Sequence, residues 1–265
     1  TIGLVFAVPF LLFWRWGWID RTLMRRLGIT VLLAAVVASF GWIMVASGLI
    51  ERPWVNAYKL TAHLSLACIL YGYLLWTTFK VIYPLASVSK NLVGLRATAL
   101  LATVVAAIQI VLGGIMSGAK AAIAYPTWPK MGEKWIAPVL TDGSMWRVEH
   151  LIAYESTLFQ PGLVQLLHRS TAYLLTGLLL YFAYRVFRSQ GDRLFKRSTI
   201  LLIGLLFVQV LLGIVTLISS KGYVPVDLGV YHQLGAILLL GTLLFVDYQL
   251  WPGRRLAGVE KPVDK

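Results

Sequence analysis

Ser198-Thr-Ile-Leu-Leu-Ile-Gly-Leu-Leu-Phe-Val-Gln-Val-Leu-Leu-Gly-Ile-Val-Thr-Leu-Ile-Ser219 runs for 22 residues without a charge. An α-helix of that length spans about 30 Å, the thickness of a bilayer's hydrocarbon core. Six more apolar segments lie around it, at about 1–14, 29–50, 58–79, 97–117, 162–184 and 230–250. The whole chain is 58% hydrophobic and 13% charged, too apolar for an ordinary soluble domain. The expected fold class is all-α, a polytopic membrane protein with seven helical segments, the first of them short. The net charge of +13 would suit a nucleic-acid partner if the basic residues formed one surface. They fall instead in short stretches between apolar runs, so the expected partner is the lipid bilayer and no nucleic acid.

Sixteen of the 24 Lys and Arg residues follow segments one, three, five and seven. The positive-inside rule then puts the C-terminus in the cytoplasm and the connection of about 118–161 outside. That connection is the one long loop. It contains Tyr125-Pro-Thr-Trp-Pro-Lys-Met-Gly-Glu-Lys-Trp135 and, between Met145 and Phe159, a candidate interfacial helix. Long loops in compact proteins are often lids or binding elements; a structural plug at the headgroups is the plainer alternative.

The chain also repeats itself. Ala67, Gly72, Leu74 and Leu75 follow His63 at the offsets by which Ala236, Gly241, Leu243 and Leu244 follow His232. Gly41 precedes His63, and Gly213 precedes His232, at similar distances. Such self-similarity suggests two four-helix bundles related by duplication. The expected division is 1–90, an N-terminal half with three helices, and 91–265, a C-terminal half with four that includes the loop. The opening of the chain at Thr1 inside an apolar run suggests a further helix upstream. The repeat places a fourth intramembrane histidine about three to six residues before Thr1.

Three histidines, His63, His168 and His232, sit near the outer starts of their helices; His150 lies in the loop and is expected to be solvated. Ionisable groups inside a membrane are costly and often functional. The helices bearing His168 and His232 run in the same direction from the same face, so their rings can meet at one level. That arrangement suits a haem iron with two axial nitrogens, and His63 would pair likewise with the histidine upstream. Gly72, Gly177, Gly235 and Gly241 leave room for close helices or for a flat macrocycle. Arg169, beside His168, is placed to meet a propionate, and Lys59 and Lys120 are candidates for the same role. The lone Cys68 reads as a small buried apolar side chain. No Asp or Glu falls in mid-span, and Asp247 lies near a helix end, which weighs against a proton-coupled transporter.

Several motifs resemble those of the haem A synthase family. Gly41-Trp-Ile-Met-Val-Ala-Ser-Gly48 and Tyr58-Lys-Leu-Thr-Ala-His63 are similar to its third and fourth helices. Leu112-Gly-Gly-Ile-Met-Ser-Gly-Ala-Lys-Ala121, Tyr125-Pro-Thr-Trp-Pro-Lys-Met-Gly-Glu133 and Trp135-Ile-Ala-Pro138 resemble its most characteristic stretch. Val164-Gln-Leu-Leu-His-Arg169 and Tyr231-His-Gln233 resemble its later histidine motifs. The resemblance covers essentially the whole chain, and the order and spacing of the motifs are specific together. The single cysteine is similar to the mitochondrial and proteobacterial branch.

The resemblance implies an oxidoreductase that oxidises the C8 methyl group of haem O to a formyl group, giving haem A for terminal oxidases. It implies haem b as cofactor, held axially by His168 and His232, and haem O as substrate, held by His63. The family's catalytic glutamate would lie upstream of Thr1, so no catalytic residue is assigned within the chain, which puts the activity of this portion alone in question. A haem O donor such as haem O synthase and a homo-oligomer are the implied partners; the electron acceptor is not indicated. The implied location is a bacterial plasma membrane, with the mitochondrial inner membrane as the alternative. The competing readings are a non-catalytic di-haem b-type cytochrome in electron transfer, and a transporter or haem carrier.

Overall fold

The computed structural model describes residues 2–46, 48, 54–83, 93–189 and 191–251. They form helices α1 (Ile2–Arg15), α2 (Arg21–Ala46), α3 (Ala57–Ile82), α4 (Val93–Gly118), α5 (Val148–Ile152), α6 (Phe159–Phe187), α7 (Arg193–Ile218) and α8 (Val226–Leu250). The protein is all-α and polytopic. Five helices, α2, α3, α4, α7 and α8, are long and apolar enough to cross a membrane.

The expected span at 162–184 corresponds to α6, which is 29 residues long but is not among those five. Gln160, Gln165, His168, Arg169 and Arg185 dilute its apolar content. More of its residues are buried than in any other described helix, so its polar groups face protein.

Most long helices extend past the apolar runs that announce them, because charged turns at membrane level prolong the hydrogen-bond ladder. The second segment, expected from about 29, begins at Arg21, where Asp20 accepts from Leu23 N–H at 2.6 Å. Asn56 caps α3 by accepting from Tyr58 N at 3.0 Å, and Asp192 caps α7 by accepting from Phe195 N at 2.7 Å. Each cap satisfies N–H groups that the first turn leaves open.

Helices α4, α6, α7 and α8 form a closed ring: α4 packs on α6, α6 on α7, α7 on α8 and α8 on α4. Helices α6 and α8, which carry His168 and His232, are therefore diagonal to one another. Helix α3 packs on α2, α4 and α8 and so joins this ring to α2. Gly114 and Gly118 let α3 close on α4; a Cβ on Gly118 would come within 2.6 Å of Ala57 Cα.

The apolar core fills only one end of the ring. Leu95, Ala102, Leu179, Phe182, Leu202 and Leu243 belong to it, from the first halves of α4 and α7 and the second halves of α6 and α8. On α8 no residue before Leu239 is buried. A second, smaller cluster of Met131, Ala137, Leu140 and Phe159 lies under the long loop. Outside the bundle, Val104, Leu201, Phe207 and many other large apolar side chains are exposed. A continuous apolar exterior on this scale suits a bilayer rather than water. Cys68 is half-buried in α3 with a free thiol.

Candidate functional site

All three intramembrane histidines are held in the same way: each ring lies on a glycine of a neighbouring helix. A Cβ on Gly41 of α2 would sit 3.0 Å from Cε1 of His63. One on Gly213 of α7 would sit 2.9 Å from Cε1 of His232, and one on Gly113 of α4 would sit 3.3 Å from Cε1 of His168. The Gly41–His63 and Gly213–His232 pairs are those whose spacing in the sequence is similar. Gly113, inside the Leu112-Gly-Gly motif, is a seat for His168 that the spacing did not reveal.

One turn before each glycine lies the ring's hydrogen-bond partner. Gln109 reaches Nε2 of His168 at 3.1 Å, and Gln209 reaches Nε2 of His232 at 3.5 Å. At the corresponding position of α2 stands Val37, and there His63 Nδ1 donates to the Val37 backbone carbonyl at 3.1 Å. Neither glutamine was singled out from the sequence, where each is one polar residue in an apolar run.

These residues fit a haem with two axial imidazoles. Nδ1 of His168 and Nδ1 of His232 are both buried without a hydrogen-bond partner, leaving one unmet nitrogen on each ring. The two rings lie on diagonal helices of the ring, α6 and α8. The apolar core stops short of their level. No group of three or more His, Cys, Asp or Glu side chains gathers for a bare metal ion among the described residues.

Arg169 is 9% exposed and takes hold of the long loop. Its Nη1 donates to the carbonyls of Pro129 at 3.2 Å and Lys130 at 3.0 Å. Its Nη2 donates to those of Tyr125 at 3.1 Å and Thr127 at 2.8 Å, and to Gln165 Oε1 at 3.1 Å. Gln165, fully buried one turn away, donates to Ala121 O and Tyr125 O. The stretch similar to the family's most characteristic motif is thus wrapped around the guanidinium of the residue next to His168. None of the five acceptors is a carboxylate, so no negative charge balances the guanidinium through these bonds. Burial also pushes the Tyr125 phenol above its ordinary pKa.

The second part of the loop docks on α3. Tyr154 Oη accepts from Ala57 N at 3.0 Å, and Tyr58 Oη donates to Leu151 O. Trp54 Nε1 donates to Glu155 at 2.8 Å. The interfacial helix expected between Met145 and Phe159 is α5. His150, expected to be solvated, is half-buried, its Nδ1 donating to Met145 O at 2.8 Å; the loop folds back on itself and covers it. Lys120 Nζ stands 4.1 Å above the Trp54 ring, and Lys59 lies in the first turn of α3, four residues before His63. Nearby, hydrogen bonds from the Ser144 hydroxyl and amide hold the Asp142 carboxyl below its ordinary pKa.

Asp247, at the far end of α8, is 4% exposed, and Thr103 donates to its Oδ2 at 2.5 Å. Its place near a helix end gave no sign of that burial, which comes from α4 packing across it.

Helical spans and three glycine-seated histidines define a polytopic membrane protein with imidazoles held inside its helix bundle. The family described as cytochrome oxidase assembly protein matches residues 1–244. Among similar proteins, one named "Heme A synthase" from Chelativorans sp. (strain BNC1) is 36% identical over 242 residues, 91% of this chain and 63% of that protein. Another of that name, from Flavobacterium johnsoniae, is 33% identical over 251 residues, 94% of this chain and 70% of its own length. A third, from Nitrosospira multiformis, is 34% identical over 255 residues, covering 94% and 68%. The chain belongs to the haem A synthase family of cytochrome oxidase assembly proteins. It spans somewhat under two thirds of the Chelativorans relative and of one from Sinorhizobium medicae.

Proposed function

We propose that the protein is a haem A synthase, oxidising the C8 methyl group of haem O to a formyl group. The observation that carries this reading is the glycine-seated histidine found three times, twice in the ring of α4, α6, α7 and α8 and once between α2 and α3. Two related half-bundles, 1–90 and 91–265, would divide the work. His168 and His232 would hold haem b in the second, and His63 would hold the substrate haem O in the first.

A bound haem b would supply one-electron chemistry. The chain's own residues supply position and enclosure. Gly113 and Gly213 seat the two rings, and the buried core at the other end fixes the helices that carry them. The uncompensated charge of Arg169, spread over the loop carbonyls, favours a propionate at the loop end. The loop, pinned to α6 by Arg169 and to α3 by Tyr154, would shield both sites from water. Sixteen of the 24 Lys and Arg residues would face the cytoplasm, with the loop outside, in a bacterial plasma membrane. A haem O donor would feed the site of His63.

The test expresses the whole, full-length protein in a host that makes haem O but no haem A. Extracted haems are separated by chromatography for wild type and His63→Ala. Haem A in wild type, lost in His63→Ala while haem b remains, is the expected result. Haem b alone in both proteins would sink the enzymatic reading and leave an electron-transfer cytochrome.

A further inference from the structure

Asp247 is a buried carboxyl with no part in holding a haem. Its Oδ2 accepts from Thr103 of α4 at 2.5 Å. Thr61, Thr199 and Thr216 give their hydroxyl protons to the carbonyl four residues earlier in their own helices; Thr103 turns its proton across to α8 instead. The second oxygen of Asp247, Oδ1, is buried without a hydrogen-bond partner.

The matching gap is on Arg96. This residue stands two turns before Thr103 on the same face of α4, and Trp251 stands one turn after Asp247 on α8. Helix α4 packs on α8, and the Arg96 guanidinium lies 4.0 Å over the Trp251 ring. An indole face holds a cation through its quadrupole but accepts no hydrogen bond in the plane of the guanidinium. The Nε–H of Arg96 is buried without a partner. One donor of a cation and one oxygen of an acid are therefore both unmet along a single α4–α8 seam. Such groups are costly to bury, and an ionised carboxyl is the costlier of the two forms.

The groups turned toward this end of α8 are Trp76, Phe79 and the Tyr83 carbonyl from α3, Ser198 from α7, and Thr103 and Arg96 from α4. Arg96 carries the only charge among them. We propose that Asp247, Arg96 and Trp251 form a proton-controlled latch between α4 and α8. With its proton on, Asp247 is neutral and Arg96 rests on Trp251, which is the arrangement of the structure. With the proton lost, the carboxylate draws the guanidinium off the indole, and Nε–H donates to Oδ1. Both unmet atoms are paired by that one movement, through a charge-assisted bond. Raising the pH thus moves Arg96 from Trp251 to Asp247, and lowering it returns Arg96 to the ring. The latch sits at the end of the bundle away from His168 and His232, and it does not depend on what those histidines bind.

The experiment follows the full-length protein, labelled with fluorotryptophan, by fluorine NMR in detergent as the pH is raised. The Trp251 resonance is identified by its loss in Trp251→Phe. In wild type it should shift in one titration step, as the cation leaves the ring. In Asp247→Asn, neutral at every pH, it should stay at its low-pH position. In Arg96→Gln it should be displaced from that position and independent of pH. Thr103→Val removes a hydrogen bond to the carboxylate and should move the step to higher pH, which tests the latch with Asp247 and Arg96 both in place. A Trp251 resonance that does not move in wild type overturns the proposal, as does a step that survives in Asp247→Asn. A step lost in Asp247→Asn but unchanged in Arg96→Gln would mean that the ring senses the carboxyl directly, and overturns the exchange of partners.

Discussion

Gly72 and Leu244 meet where α3 crosses α8: a Cβ on Gly72 would lie 3.3 Å from Leu244 Cδ1. The reciprocal contact exists too, for a Cβ on Gly241 would lie 3.3 Å from Leu75 Cδ1. Gly72 and Gly241 hold the same offset from His63 and His232, and so do Leu75 and Leu244. Residue i touching j while the repeat mate of i touches the repeat mate of j is the mark of a two-fold interface, here within one chain. This symmetric contact supports reading the protein as two related halves.

The symmetry is broken at one atom, which yields a first prediction. A Cβ on Gly241 would also meet Tyr71 Oη at 2.5 Å, and Gly72 has no such neighbour. Gly241→Ala should therefore cost more than Gly72→Ala, by about 1–3 kcal/mol of overpacking. Thermal unfolding in detergent, followed by circular dichroism, compares them. Equal midpoints would show that the phenol moves aside freely.

Gly213→Val should empty the C-terminal site. The added carbons enter a space that Cε1 of His232 approaches to 2.9 Å, and the ring must leave its seat. The reduced haem spectrum per mole of protein reads the loss, expected to be at least tenfold. Gly177→Ala, with nothing within 4 Å, is the control that should keep full haem content.

Arg169→Leu should release the loop. Five hydrogen bonds from a buried cation disappear together; the carbonyls of Thr127 and Pro129 lose the guanidinium, while Tyr125 keeps Gln165 and Lys130 keeps the Thr127 hydroxyl. A loss of roughly 2 kcal/mol or more follows if even one charged bond was fully effective. Limited proteolysis between 125 and 135 detects it. Arg169→Lys should not rescue, because an ammonium cannot span the same set of carbonyls. Protection equal to wild type in Arg169→Leu would show that the apolar cluster under the loop suffices.

Asp142 gives a pH dependence whose sign is fixed. Its pKa is depressed by the Ser144 hydroxyl and amide, so the turn it stabilises persists above the ordinary carboxylate pKa and is lost as pH falls through the depressed value. Ser144→Ala removes the first of those bonds and should raise the midpoint of the Asp142 carboxyl signal in an NMR titration. An unmoved midpoint would assign the depression elsewhere.

The fold was legible because membrane spans announce themselves. Seven apolar runs correspond to six long helices and the shorter α1, and their errors lie at the ends, where Asp20, Asn56 and Asp192 start helices in polar sequence. Helix α6 was legible by length, but its polar residues made sense only once its burial was known. His63, His168 and His232 stood out as rare ionisable groups in apolar runs, and the repeat linked two of them. Gln109, Gln209 and Gly113 did not stand out. A glutamine or glycine in a helix has many ordinary uses, and only the neighbouring helix shows which one applies. Arg169 stood out as a charge beside His168, but the loop carbonyls that it gathers, about 40 residues earlier in the chain, cannot be paired with it by spacing.

The core's confinement to one end of the ring has a mechanical meaning. The helices are riveted together where Leu179, Phe182, Leu202 and Leu243 interlock, and at the other end they meet through histidine rings seated on glycines. Such a scaffold works like a clothes-peg, with its spring at one end and its jaws at the other. A flat guest can enter or leave the jaws without loosening the spring, so the resistance of the bundle to unfolding and its grip on that guest are separate quantities, open to separate change.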